Sequence, residues 1–248
     1  TEQKILAEIM AGQLEWLKNC QVNGADSRAR GVICLDSGKS RAVPYFSNFA
    51  ALALLEDPAA YPLVERYLDW YLFNLEEDGT VLDYYFDEDL SFRKTRPDSE
   101  DAYAATFLSL VGRYHEKTGR TSWVDGNLKK LKKVARVITR LQCRDGLTFA
   151  RADHRVKYLM DNCEAWRGLV DFAGLLERLG DPEMIFFRAK ARKIADGIEK
   201  ELWNPRRLSY RPRKRYFLKP RANWRVFYPD AACQIFPVLN GLIRPESA

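Results

Sequence analysis

Asp98-Ser99-Glu100-Asp101-Ala102-Tyr103-Ala104-Ala105-Thr106-Phe107 is the stretch on which the fold turns. Acids and a serine come first, as at the start of a helix, and a run of small and aromatic residues follows. The pattern recurs along the chain. Pro44-Tyr45-Phe46-Ser47-Asn48-Phe49-Ala50-Ala51-Leu52 enters a helix that opens at Ser47. Tyr158-Leu159-Met160-Asp161-Asn162-Cys163-Glu164 enters one marked by Ala165, Gly168, Ala173 and Gly174. A fourth opens at Asp230 with Ala231 and Ala232. Small side chains let helices approach closely where several crowd around one axis.

Between these helices lie charged stretches from Glu2 to Cys20, Ala59 to Glu76, Ser122 to Cys143 and Pro182 to Trp203. In Lys129–Arg140, apolar Leu131, Val134, Ala135 and Ile138 keep helical spacing, so the basic residues form a solvated outer face. Each charged stretch ends in a turn: Asn23-Gly24, Asp78-Gly79, Asp145-Gly146 and Asn204-Pro205. Asn-Gly and Asp-Gly supply the positive φ of tight turns. Thr80–Tyr85 and Leu147–Phe149 then read as short rim strands. A helical hairpin repeated every roughly fifty to seventy residues is the mark of a stacked helical architecture. The expectation is an all-α protein, an α/α toroid of helical hairpins with short rim β-hairpins. It forms one domain over residues 1–248, because no Gly/Ser linker or low-complexity tract interrupts it.

Hydrophobic residues at 46% and charged residues at 30% place the chain among ordinary globular proteins. Aromatics reach 12%, so some must line grooves or fill an unusually aromatic core. No apolar run approaches the ~18 residues of a membrane span, and no membrane partner is expected. Five scattered cysteines, an odd number with no metal-ligand spacing, suggest free thiols in a reducing compartment, hence a cytoplasmic protein. The net charge of +6 arises largely from Lys129–Arg140 and from Arg206–Arg225, where Tyr210, Tyr216, Phe217 and Trp224 interleave with the cations. Such a mixture can grip nucleic acid, but no nucleic-acid motif accompanies it. A polar, aromatic loop over a carbohydrate cleft is the more economical reading.

The three helix-start segments quoted above resemble those of six-hairpin glycosidase-like proteins, and the resemblance runs as a pattern over nearly the whole chain. It implies an (α/α)6 toroid with carboxylate catalysis at inner-helix ends, as in glucoamylases, endoglucanases and unsaturated glucuronyl hydrolases. Four inner helices are counted here against six in a closed ring. The chain stops at Ile243-Arg244-Pro245-Glu246, just past the fourth, so the expectation is a ring short of its last hairpins at the C-terminal end, an open ring, or one completed by another chain.

Glycoside hydrolysis needs a proton donor for the leaving oxygen and a second carboxylate, roughly 6.5–9.5 Å away for inversion and about 5 Å for retention. Asp101 and one of Asp161, Glu164 or Asp230 are the candidate pair, with inversion favoured. Aromatic rings stack on sugar faces, which makes Tyr45, Tyr103, Tyr158, Trp166, Trp224 and Tyr228 candidate substrate contacts beside Asp98. Arg155 and Arg225, with Arg151 and Arg221, favour an acidic, uronate-type oligo- or polysaccharide. Two histidines are too few for a typical zinc site, there is no phosphate loop, and no cofactor is expected. His115 reads as a helix-end histidine, whereas His154 sits on the loop before Asp161 and can reach the cleft. The competing explanation is that acids in a first helical turn merely cap it. Two other functions fit the same pattern: a non-catalytic helical-repeat scaffold, or a polysaccharide lyase on a related toroid using Tyr and His.

Overall fold

The computed structural model describes residues 2–24 and 28–243. The chain divides into two compact units, Thr1–Pro97 with Arg113–Leu131, and Asp98–Gly112 with Lys132–Ala248. Besides the cut between Pro97 and Asp98, the boundary falls inside two helices: α4 (Glu100–Thr118) and α5 (Thr121–Leu141) each contribute to both units.

The first unit begins with α1 (Glu2–Asn19) and continues through β1 (Arg41–Ala42), α2 (Pro44–Leu54), α3 (Tyr61–Phe73), β2 (Asp83–Phe86) and β3 (Phe92–Thr95). Helix α2 starts three residues before the expected Ser47, at Pro44, where a missing amide hydrogen costs nothing. Ser47 is therefore inside the helix and donates to the Ile33 carbonyl at 2.6 Å. Helix α3 buries Val64, Tyr67, Leu68 and Tyr71 along one helical stripe. The Tyr67 hydroxyl donates to Asn48 Oδ1 at 2.7 Å, pinning α3 to α2. At the Asp78-Gly79 turn, Gly79 takes the expected left-handed φ of 90°. Strand β2 then pairs antiparallel with β1 (Ala42 opposite Tyr84) and with β3 (Tyr84 opposite Lys94). The Asn23-Gly24 turn departs from expectation, since Gly24 does not adopt a positive φ.

The second unit holds the start of α4, the end of α5, β4 (Lys157–Tyr158), α6 (Leu159–Arg178) and α7 (Met184–Gly197). It ends with β5 (Trp203–Asn204), β6 (Ser209–Tyr210), β7 (Arg213–Lys214) and α8 (Phe236–Leu239). Helices α6 and α7 form a hairpin cored by Leu169, Phe172, Leu176, Phe187 and Ile194, with the Phe172 and Phe187 rings edge-on at 5.1 Å. The small residues do what their pattern predicts. A side chain at Gly168 of α6 would stand 2.5 Å from the Ala105 carbonyl oxygen of α4, so only glycine allows this approach. Gly146 combines a φ of +89° with a backbone wall: an added Cβ would lie 2.0 Å from the Lys193 carbonyl oxygen.

Two expectations need correction here. Leu147–Phe149 forms no strand, only a single bridge between Gln142 and Thr148. The fourth small-residue helix is not continuous. It is a π-type turn at Phe227–Ala231, a 3-10 turn at Ala232–Ile235 and the four-residue α8. Pro229 and Pro237 supply no amide hydrogen, so an unbroken i→i−4 ladder cannot run through them.

Several of the basic residues are neutralised locally. Lys132 reaches Asp181 and Glu183 at 2.6 and 2.9 Å, and Arg136 reaches Glu183 at 2.6 Å. Lys157 and Lys214 both bind Asp145, at 2.7 and 2.6 Å, and hold its carboxyl below the usual range although burial opposes them. His115, on α4, lies 3.1 Å from the Thr121 hydroxyl. All five cysteines are free thiols, four of them buried. No helix among the described residues is long and apolar enough to cross a membrane.

Candidate active site

The start of α4 is fixed against the turn segment that follows α5, where the Glu100 amide donates to the Ala150 carbonyl at 2.6 Å. The start of α6 is fixed against the same segment by Asn162. Its Oδ1 accepts the Thr148 amide at 2.7 Å, and its Nδ2 donates to the carbonyls of Thr148 and Tyr158. Two helix starts are thereby held side by side, each carrying an acid.

Those acids meet at Ser99. Its Oγ lies 2.7 Å from Asp101 Oδ1 and 2.8 Å from Asp161 Oδ2. One hydroxyl has one proton to give, so the second bond needs a proton brought by a carboxyl. Asp101 has enough donors to remain the anion: besides Ser99 it accepts the Thr148 hydroxyl at 2.5 Å and the Ala102 amide at 2.9 Å. Burial pushes Asp101 up to about 6 against those three bonds. Asp161 is pushed well above the carboxylate range by burial first and by the Asp101 charge second, against the Ser99 bond and a backbone hydrogen bond of its own. Burial and the neighbouring charge both favour the protonated form of Asp161, and like charges this close cannot both ionise at little cost.

The two carboxyls are not equivalent. Asp101 is fully buried, at 0% exposure, and has no path to solvent. Asp161 lines a hollow of about 420 Å³ with Asp98, Ser99, Arg151, His154, Tyr158, Arg213 and Tyr228. His154 Nε2 stands 3.2 Å from the Tyr158 hydroxyl, with the two rings stacked at 6.2 Å. Strand pairing of β4 with β7 sets Tyr158 opposite Arg213, which brings that arginine to the same wall.

The remaining expected residues are placed as follows. Glu164 lies buried along α6 and is not in the wall of the hollow, nor is Tyr103 on α4. Trp166 is half-buried further along α6. Asp230 turns to its own loop, accepting the Asn223 amide at 2.7 Å, and Trp224 and Arg225 are exposed beside it. Arg155 is exposed, its guanidinium 6.0 Å from the Phe149 ring. Tyr45 belongs to the first unit, edge-on to Phe46 and Phe49. Among the described residues no three His, Cys, Asp or Glu side chains converge as metal ligands.

No family model and no curated protein sequence matches the chain. Solved structures do. A rhamnosidase from Klebsiella oxytoca with rhamnose bound is 17% identical, with a TM-score of 0.65 over 95% of this chain and 45% of its own. An unsaturated glucuronyl hydrolase from Bacillus sp. GL1, responsible for the degradation of glycosaminoglycan, is 15% identical, with a TM-score of 0.57 over 76% of this chain and 53% of its own. The chain has the six-hairpin glycosidase-like fold. A sugar epimerase from a ruminal bacterium shares it at 12% identity and a TM-score of 0.53, covering 72% of this chain and 49% of its own. The chain therefore spans about half the length of these structures. One six-hairpin scaffold carries both hydrolysis and epimerisation of sugars, so the fold alone does not choose a reaction.

Within this fold the sequence pattern marks the acids but not what joins them. Ser99 was legible only as part of a helix start, although it stands between two acids in Asp98-Ser99-Glu100-Asp101. Thr148 lies in a segment with a strand-like pattern, and its partner Asp101 is 47 positions away. Arg213 was one cation among many in a basic run. Only the β4–β7 register distinguishes it.

Proposed function

We propose that this chain is a glycoside hydrolase acting on a uronate-type sugar. The observation that carries the reading is the carboxyl pair bridged by Ser99, with one member sealed and the other in the wall of a hollow. A general acid must keep its proton near neutral pH, and burial beside a second carboxylate is how proteins achieve that. Asp161 then protonates the glycosidic oxygen as the bond from the sugar carbon to that oxygen breaks. The Ser99 hydroxyl can turn its proton from Asp101 to Asp161 and so steady the charge that develops there. Asp101 touches no substrate; it is a positioning residue that sets the proton affinity of Asp161.

Asp98, exposed on the same hollow, is the second carboxylate of this reading. It takes a proton from water as the water oxygen bonds to the sugar carbon, and it returns that proton to solvent. Inversion is favoured because Asp101, the near carboxylate, is too deeply buried to attack a sugar carbon. Arg151, Arg213 and His154 around the hollow suit an acidic sugar, and the glucuronyl hydrolase among the six-hairpin structures points the same way. The test is release of a uronic acid from short acidic oligosaccharides by the purified chain. The reading expects cleavage that Asp161→Asn abolishes; wild-type protein that cleaves none of them, or a fully active Asp161→Asn, overturns it.

One observation favours a second reading. The His154–Tyr158 hydrogen bond lines the same hollow, and a histidine base with a tyrosine acid is what β-elimination at a uronate requires. A new ultraviolet absorption from an unsaturated product, persisting in Asp161→Asn and lost in Tyr158→Phe, would move the assignment to a lyase.

A further inference from the structure

A second hollow of about 540 Å³ adjoins the first at His154, Tyr158 and Arg213. It shares those three residues with the acid-bearing hollow and adds Arg215, Leu218 and Lys219. No carboxylate lines it, whereas Asp98 and Asp161 line the first. The cations differ in how far they are already committed. Lys219 is held by Glu201 at 2.6 Å. Its neighbour Lys214 is drawn away to Asp145 and Glu201. Among the described residues Arg213 and Arg215 make no ion pair, and the Arg215 guanidinium lies 6.0 Å from the Tyr216 ring. The strand period of two puts Arg213 and Arg215 on the face opposite Lys214. Two exposed guanidiniums thus border a basin with no internal counter-ion. Their planar forks match an oxyanion in two-point fashion.

We infer that this basin is a second sugar subsite, which binds the carboxylate or sulfate of the unit next to the one processed over Asp161. The shared wall makes the two hollows neighbours along one groove, so the substrate is at least a disaccharide bearing an oxyanion on the adjoining ring. The inference rests on the hydrolase reading only for its choice of a sugar as ligand.

Calorimetric binding to the Asp161→Asn protein tests it with three probes: a glucuronate-bearing disaccharide, a sulfated disaccharide and their uncharged counterpart. At least one charged probe should bind about tenfold or more tightly than the uncharged one, the worth of a charge-assisted contact. Arg215→Ala should erase that preference, and Arg215→Lys should restore part of it, with circular dichroism unchanged in both. Whichever charged probe binds better identifies the oxyanion. Equal affinity for all three probes, or a preference untouched in Arg215→Ala, overturns the subsite. The two readings fail separately. Arg215-dependent binding without cleavage by wild-type protein keeps the subsite and removes the hydrolase. Cleavage indifferent to charge and to Arg215 does the reverse.

Discussion

The starts of the third and fourth small-residue helices look alike in sequence and differ in what surrounds them. Asp161 opens α6, and residues remote in the chain close around it: Ser99, 62 positions away, bonds its carboxyl, and Asp101 stands behind. Asp230 opens a segment that Pro229 and Pro237 break into single turns, and its carboxyl reaches only seven residues back, to Asn223. The first acid is held by other elements and keeps a proton. The second does the local work of a turn. A carboxylate at a helix start acquires chemistry from partners that a neighbouring helix delivers, not from its place in its own helix.

That contrast can be broken most severely at the two acids themselves. Asp161→Asn should lower turnover of an acidic oligosaccharide by about a hundredfold or more, the usual worth of a general acid. Asp230→Asn should stay within about twofold, as expected of a solvated loop residue. Equal losses in steady-state kinetics would erase the distinction between the regions.

A smaller effect is expected in pH dependence. Activity requires Asp101 as the anion, so the rate should fall as pH drops through about 6, where burial places that carboxyl. In Asp101→Asn that acid limb should vanish along with much of the rate, whereas Asp230→Asn should leave it in place. A pH–rate profile whose acid limb is the same in Asp101→Asn would assign the limb to another group.

Stability should respond more gently. Both site carboxyls have folded-state values raised above the unfolded one. Their contribution is therefore complete in acid, below the unfolded aspartate value of about 3.9. It is lost as pH rises through the folded values, because the folded state then gives up protons it had favoured. Asp145 works in the opposite sense, its lowered value contributing above the unfolded pKa and fading as pH falls. Urea unfolding of wild type and Asp161→Asn should show the wild type losing ground to the variant as pH rises from about 4, the unfolded aspartate value, through the raised folded values. A difference that stays flat over that range would contradict the burial account. Ser99→Ala should cost about 1–2 kcal/mol at neutral pH by the same method, the usual price of an unsatisfied buried acceptor.

Much of this was legible in the chain and some was not, for physical reasons that differ by residue. The charged helices were readable because Leu131, Val134 and Ile138 keep a 3.6-residue period that water and core enforce locally. Gly79 and Gly146 were readable because a left-handed turn asks for glycine whatever lies around it. The fourth helix was not legible: Ala231 and Ala232 give it the small-residue pattern, while Pro229 and Pro237 divide it into single turns. Asp101 and Asp161 were visible as acids, but the roles that now separate them depend on exposure, and exposure follows from how α4 and α6 pack. That packing hangs on Gly168 against Ala105, a contact across 63 positions that no local pattern encodes.

The central claim is that Asp101 and Asp161 hold one proton between them at neutral pH, on the carboxyl that faces the hollow. Carbon-13 carboxyl NMR of aspartate-labelled protein, titrated from pH 4 to pH 9 and assigned with Asp161→Asn and Asp101→Asn, measures it directly. The account predicts an Asp101 resonance that titrates near 6 and an Asp161 resonance that keeps its proton to higher pH than Asp101 does. Both carboxyls fully ionised at pH 5, as ordinary solvated aspartates of about 3.9 would be, would contradict it.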